Sequence, residues 1–146
     1  MSLLGKNVFI ELHTTIDDDG QMEYNTIKNA GTFYQKGALD VLTFEEVTED
    51  HSKVKNLITI QNDKVSIKRS GNVTMNQQFR ANQITENVFK HPHGNINMET
   101  NTQSITYKSM NDFDKGKLSI SYTVKLNGQE ERKHELVLTY NEEDAQ

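Results

Sequence analysis

Apolar and polar residues alternate along most of the chain. In "KLSISYTVKLNGQ", Leu118, Ile120, Tyr122, Val124 and Leu126 share one face, and Ser119, Ser121, Thr123 and Lys125 share the other. A period of two puts successive side chains on opposite sides of an extended backbone, so this stretch predicts a half-buried strand. Asn127-Gly128 follows. Both residues tolerate positive φ, which predicts a tight hairpin there. The return strand "ERKHELVLTY" keeps Leu136, Leu138 and Tyr140 in phase. The acidic run "NEEDAQ" predicts the end of pairing, with 141–146 as a loose tail.

The same grammar runs upstream. "NVFIELHTTI" places Val8, Ile10 and Leu12 on one face, and "DDDG" at 17–20 reads as an acidic turn. "MEYNTIKNAGTFYQ" is strand-like, with a bulge or bend expected at Ala30-Gly31. Lys36-Gly37 breaks the chain before "ALDVLTFEEV", which has helical propensity but alternates as a strand does. Asn62-Asp63 predicts a second tight hairpin, and "VTMNQQF", "ITENVFKH", "GNINMET" and "QSITYKSM" supply four shorter strands. No segment of helical length carries a 3.6-residue apolar stripe. The expectation is an all-β fold of about eight to ten antiparallel strands in an up-and-down order. A sheet that long leaves two edges open unless it closes, so a single closed β-barrel domain over 1–146 is expected.

Composition narrows the partners. The net charge is −5 and the chain shows neither basic runs nor aromatics interleaved with Lys or Arg, which argues against nucleic acid and anionic membrane. Cysteine is absent, so disulfides, thiolate metal sites and cysteine nucleophiles are excluded. Only 34% of residues are hydrophobic, so placement rather than abundance has to build the core. "MSLLGKNVFIELH" lacks the basic-then-apolar order of a secretory leader, and a cytoplasmic protein is expected.

"LTFEE" at 42–46, "KVSIKRSG" at 64–71, "HPHGNINMET" at 91–100 and "LSISYTVKLNG" at 118–128 occur in an order and spacing that resembles the YwiB-like family of uncharacterised bacterial proteins. The resemblance spans nearly the whole chain and implies a calycin-like, lipocalin-related β-barrel; it implies no known reaction. Its motifs fall on Phe44 and Glu46, Arg69 and Gly71, Pro92 and Gly94 with Thr100, and Tyr122. Three positions depart from the family pattern. His91 and His93 stand where threonine and an aromatic are usual around Pro92, and Phe44 stands where tyrosine is usual.

Arg69 is the chemical oddity. It is in phase with Val65 and Ile67, as Glu46 is with Leu42 and Phe44, so both are expected to point into the barrel and to meet there. An inward guanidinium needs a partner, because an isolated buried charge is too costly. The pair is either a structural ion pair or, through the planar donor fork of Arg69, an anchor for a polar or acidic ligand. Thr100, in phase with Ile96 and Met98, Tyr122, in phase with Ile120 and Val124, and Tyr107 add hydroxyls that could line the same lumen.

Other candidates give way to ordinary roles. The consecutive aspartates of "DDDG" lack the alternate spacing of a calcium loop. His91 and His93, at i and i+2 on an extended chain, point apart and do not form a metal pair, so the stretch is expected to be a turn feeding a strand. No nucleophile elbow, phosphate loop or opposed carboxylate pair is present, so no catalytic residue, cofactor or metal is assigned. The leading expectation is a barrel that binds a small polar or acidic molecule against Arg69, Glu46, Thr100, Tyr122 and Tyr107. The alternative is a packed barrel that acts through its outer face, on another protein or as a homodimer.

Overall fold

A computed structural model describes residues 5–48, 50–110 and 115–143. Ten strands follow one another: β1 (Lys6–Asp18), β2 (Gln21–Lys36), β3 (Leu39–Val47), β4 (Lys53–Ile60), β5 (Lys64–Ser70), β6 (Thr74–Arg80), β7 (Gln83–His91), β8 (Gly94–Lys108), β9 (Lys115–Leu126) and β10 (Arg132–Glu142). Each pairs antiparallel with its sequence neighbours, and β10 pairs with β1, closing the sheet into a barrel. The predicted meander and its closure are both present.

Turn chemistry sets the register of the hairpins. Asp19-Gly20 and Asn127-Gly128 have φ of 52° and 92°, and 52° and 74°. Two successive positive φ values match the right-handed twist of the flanking strands, which is why Asx-Gly recurs at tight hairpins. The Asp17 carboxylate accepts from the Gly20 N–H at 2.8 Å, fastening the first turn.

Alternation then fills the interior. Val8 and Ile10 of β1, Leu42 and Phe44 of β3, Ile58 and Ile60 of β4, Val65 of β5, Phe79 of β6, Leu118 and Ile120 of β9, and Leu138 and Tyr140 of β10 are all buried in one cluster. "ALDVLTFEEV" is resolved in favour of a strand, because its alternating apolar side chains reach this core.

Three expectations change. Ala30-Gly31 is neither a bulge nor a break, and the register with β1 runs on through it. Gly31 is required for a different reason: a Cβ there would overlap the Thr43 carbonyl oxygen and the Ile10 side chain. "GNINMET" and "QSITYKSM" form one strand, β8, with a register shift between Thr102 and Ser104. The extra residue reverses the alternation. Before it, Ile96, Met98, Thr100 and Thr102 face inward; after it, Ile105 and Tyr107 do. Finally, pairing does not stop at Tyr140: Asn141 and Glu142 still face Phe9 and Val8, and 144–146 lie outside the described residues.

The wall is uneven. β2 pairs with β1 from Gln21 to Phe33 but with β3 only from Gly31 to Lys36. Among the described residues, Gln21–Ala30 therefore has no strand along its second edge. β6 and β7 share one ladder pair, Thr74 with Lys90, and the Thr85 hydroxyl donates to the Gln78 carbonyl along this seam. The barrel has two ends. One carries the turns after β1, β3, β5, β7 and β9 and is called the Arg69 end; the other carries those after β2, β4 and β6 and is called the Tyr140 end. Among the described residues, no helix is long and apolar enough to cross a membrane.

Candidate binding site in the barrel interior

The core divides the interior. Phe33, Phe44 and Phe79 are buried, and Phe89 packs against them. Phe79 meets Tyr122 edge-on at 4.8 Å, and Phe33 stacks on Tyr140 at 5.1 Å. Polar side chains are left in two groups, separated by this packed middle.

The first group stands toward the Arg69 end. Arg69 on β5 and Glu46 on β3 do meet: an Arg69 terminal nitrogen donates to Glu46 Oε1 at 3.3 Å. Asn56 on β4, the strand between them, donates to the same oxygen at 2.8 Å. The side chains of Arg69 and Glu46 remain 26% and 20% exposed, so the pair sits at the lumen wall near its mouth and is only partly desolvated. Such a pair contributes modestly to stability and mainly fixes the orientation of the guanidinium.

Beside it, the Gln77 amide reaches from β6 to the Thr100 hydroxyl on β8 at 3.0 Å, and both residues are buried. Asn87 on β7 and Thr102 on β8 share the inner face with Thr100. Among the described residues, three buried side-chain atoms of the inner wall have no hydrogen-bond partner: Arg69 Nε, Asn87 Nδ2 and Thr102 Oγ1. Buried polar atoms are rarely left unpaired, because each forfeits its hydration without compensation.

Tyr122 and His134 close this side. Their rings lie 5.0 Å apart. Burial raises the Tyr122 phenol well above its ordinary range. Burial, with Arg132 adding positive charge nearby, pushes the His134 imidazole down to about 4, while Glu23 opposes this weakly. Both rings are therefore neutral at pH 7.

Tyr107 is not part of this group. It lies near the far end of β8, at the Tyr140 end, turned inward by the register shift, and there its hydroxyl donates to Asp40 at 2.5 Å and lies 2.5 Å from the Tyr140 hydroxyl. Asp40 is buried and also accepts from Gln35 and Ser109, each at 2.7 Å. Burial raises both phenols, and for Tyr107 the Asp40 carboxylate adds to it. An open cleft of about 580 Å³ borders this network, reached past Gln61, Asn62 and Asp63. Every Asp40 oxygen already has a donor, so the network stabilises the barrel end and offers a ligand little.

The chain as a whole matches a known family. The model of a domain of unknown function, DUF1934, matches residues 10–138. The chain belongs to the DUF1934 family. It is 31% identical over 133 residues to the uncharacterised β-barrel protein YwiB of Bacillus subtilis (strain 168), covering 91% of this chain and 92% of that protein. The crystal structure of the B. subtilis ywiB protein superposes with a TM-score of 0.86 at 27% identity, over 97% of this chain and 96% of that one. Membership confirms the resemblance read from the four motifs, and the closed barrel is common to both structures.

Sequence reasoning thus found Arg69 with Glu46, and Thr100 and Tyr122 on the inner face. It missed Asp40, Asn56, Gln77, Asn87 and Thr102. Asp40, Asn56 and Gln77 carried a usable signal, since they are in phase with Leu42, Ile58 and Phe79. A polar residue at an inward position draws less notice than an arginine does. Thr102 carried the same signal, in phase with Thr100, whereas the face of Tyr107 could not be read without knowing the shift at Gln103. His91 and Gly94 form the last pair of the β7–β8 hairpin, so "HPHG" is the turn that starts β8.

Proposed function

We propose that this DUF1934 protein binds a small, acceptor-bearing molecule, such as a carboxylate or carbonyl compound, in the half of the barrel toward Arg69. The observation that carries this is the set of unpaired buried atoms, Arg69 Nε, Asn87 Nδ2 and Thr102 Oγ1. Two are obligate donors and the third can donate, so their natural complement is an oxygen acceptor. Arg69 anchors the charged or polar group, Glu46 and Asn56 hold the guanidinium in place, and Gln77 orients Thr100 beside it. Tyr122 and Phe79 form the apolar floor. A calycin-type binding barrel working in the cytoplasm fits this role.

Native mass spectrometry of the gently purified protein tests it, alongside thermal-shift screening with small carboxylates. A bound or stabilising compound is expected, and Arg69→Met should abolish its effect while the apo protein keeps its fold. An adduct-free mass, with no stabilisation by any carboxylate, removes the proposal.

The packed middle also favours a second reading, a barrel that acts through its outer surface as a protein-interaction module. The open edge of β2 supports it.

A further inference from the structure

From the open edge of β2 we infer that the partner of the outer surface is a second copy of this chain, joined strand to strand along Gln21–Ala30. The inference rests on the interaction-module reading and supplies its partner. Unpaired strand edges recruit other strands, so proteins blunt them with proline, bulges or lysine. This edge has ten residues, no proline and no glycine, and Lys28 is its one lysine. Its register with β1 is regular throughout.

The edge is also self-complementary. Two copies related by a two-fold axis through Thr26 would pair antiparallel, with Met22 opposite Ala30 and Tyr24 opposite Lys28 on the outer face. On the inner face Glu23 would meet Asn29, and Asn25 would meet Ile27. No like charges oppose one another, and Lys28 can lie over the partner ring.

Exposure follows the same rows. Tyr24 is 71% exposed, Phe9 49% and Met22 47%, among the largest apolar exposures of the chain. Phe9 pairs with Ala30 within the barrel. A groove of about 320 Å³ lined by Phe9, Glu11, Lys28 and Ala30 lies where Met22 of the second copy would enter. One pairing thus covers all three exposed side chains and the groove, and it continues the sheet from one barrel into the next.

The chain lacks cysteine, so a single introduced thiol is an unambiguous reporter. Thr26→Cys places the thiol on the axis, facing its own counterpart at strand-pair distance, which a disulfide can span. It should oxidise to a covalent dimer of twice the chain mass. Val88→Cys, on an exposed face of β7, should not. Sedimentation equilibrium should show the wild type as a reversible dimer. Met22→Glu/Tyr24→Glu should weaken it by roughly a hundredfold, with an unchanged circular dichroism spectrum and, at dilutions where the wild type is monomeric, an unchanged melting temperature. A dimer that survives this double substitution, or equal crosslinking from Val88→Cys, overturns the β2 assignment. A wild type that stays monomeric overturns the second copy as partner, yet leaves the module reading open to strands of other proteins.

Discussion

Gly116→Ala should destabilise the barrel far more than a single methyl group suggests. Gly116 on β9 faces Tyr140 on β10, and the phenol ring lies over its Cα. A Cβ at this position would overlap Cε1 and Cζ of that ring and approach its hydroxyl oxygen to 2.5 Å. Carbon atoms pack at about 3.5–4.0 Å, so the ring must move by about 1 Å or more. Tyr140 has nowhere to go. It is fully buried and stacked on Phe33 at 5.1 Å. Its hydroxyl lies 2.5 Å from that of Tyr107 and accepts from the Met110 N–H at 3.3 Å.

Overpacking of this kind costs about 1–3 kcal/mol. Losing two hydrogen bonds adds about 1 kcal/mol each. The narrower unfolded ensemble of alanine returns about 0.4–1 kcal/mol. The expected loss is about 2–4 kcal/mol, or roughly 5–15 °C in melting temperature for a chain of this size. Urea denaturation followed by circular dichroism measures it. The same substitution in a Tyr140→Leu background should cost at least 1 kcal/mol less, because the space above Gly116 is then free. Equal costs in both backgrounds, or a change within about 0.5 kcal/mol in the wild type, would refute the contact as the cause.

Three further outcomes follow from the interior. His134 folds with its pKa lowered from 6.5 to about 4, so the folded chain holds fewer protons on this ring than the unfolded chain between those values. Its contribution is fully present above about pH 6.5 and is lost as the pH falls toward 4. Replacing it with glutamine should flatten that acid limb by roughly 1–2 kcal/mol after allowance for partial exposure, as read from urea midpoints across the range. Thr100→Val should cost about 1–3 kcal/mol by stranding the Gln77 amide. Adding Gln77→Leu should recover most of it in the same assay, and failure to recover would show that the hydrogen bond at 3.0 Å is not what Thr100 contributes. Asp40→Ala should cost about 2–4 kcal/mol by calorimetry, since it leaves Gln35, Tyr107 and Ser109 without their shared acceptor. A loss below about 0.5 kcal/mol would mean that water replaces the carboxylate.

The strands and their turns were legible in the sequence because both signals are local. Alternation at Leu118–Leu126 follows from backbone geometry alone, and Asn127-Gly128 turns because its residues accept positive φ. Closure was legible too, from the absence of helices and the cost of open edges. The meeting of Arg69 and Glu46 followed from phase and from the need of an inward charge for a partner. Tertiary structure decided what phase cannot carry. The shift at Gln103 reversed the inward face of β8 and turned Tyr107 into the interior, where its place near the end of the strand sets it at the Tyr140 end rather than beside Arg69. One inserted residue changes every later position, and which residue is left unpaired depends on the partner strands. Gly31 turned out to be a close approach between strands, visible only once β1, β2 and β3 are side by side. The open edge of β2 is likewise a property of neighbours: β3 pairs with only its last six residues, and no local pattern in Gln21–Ala30 records that absence.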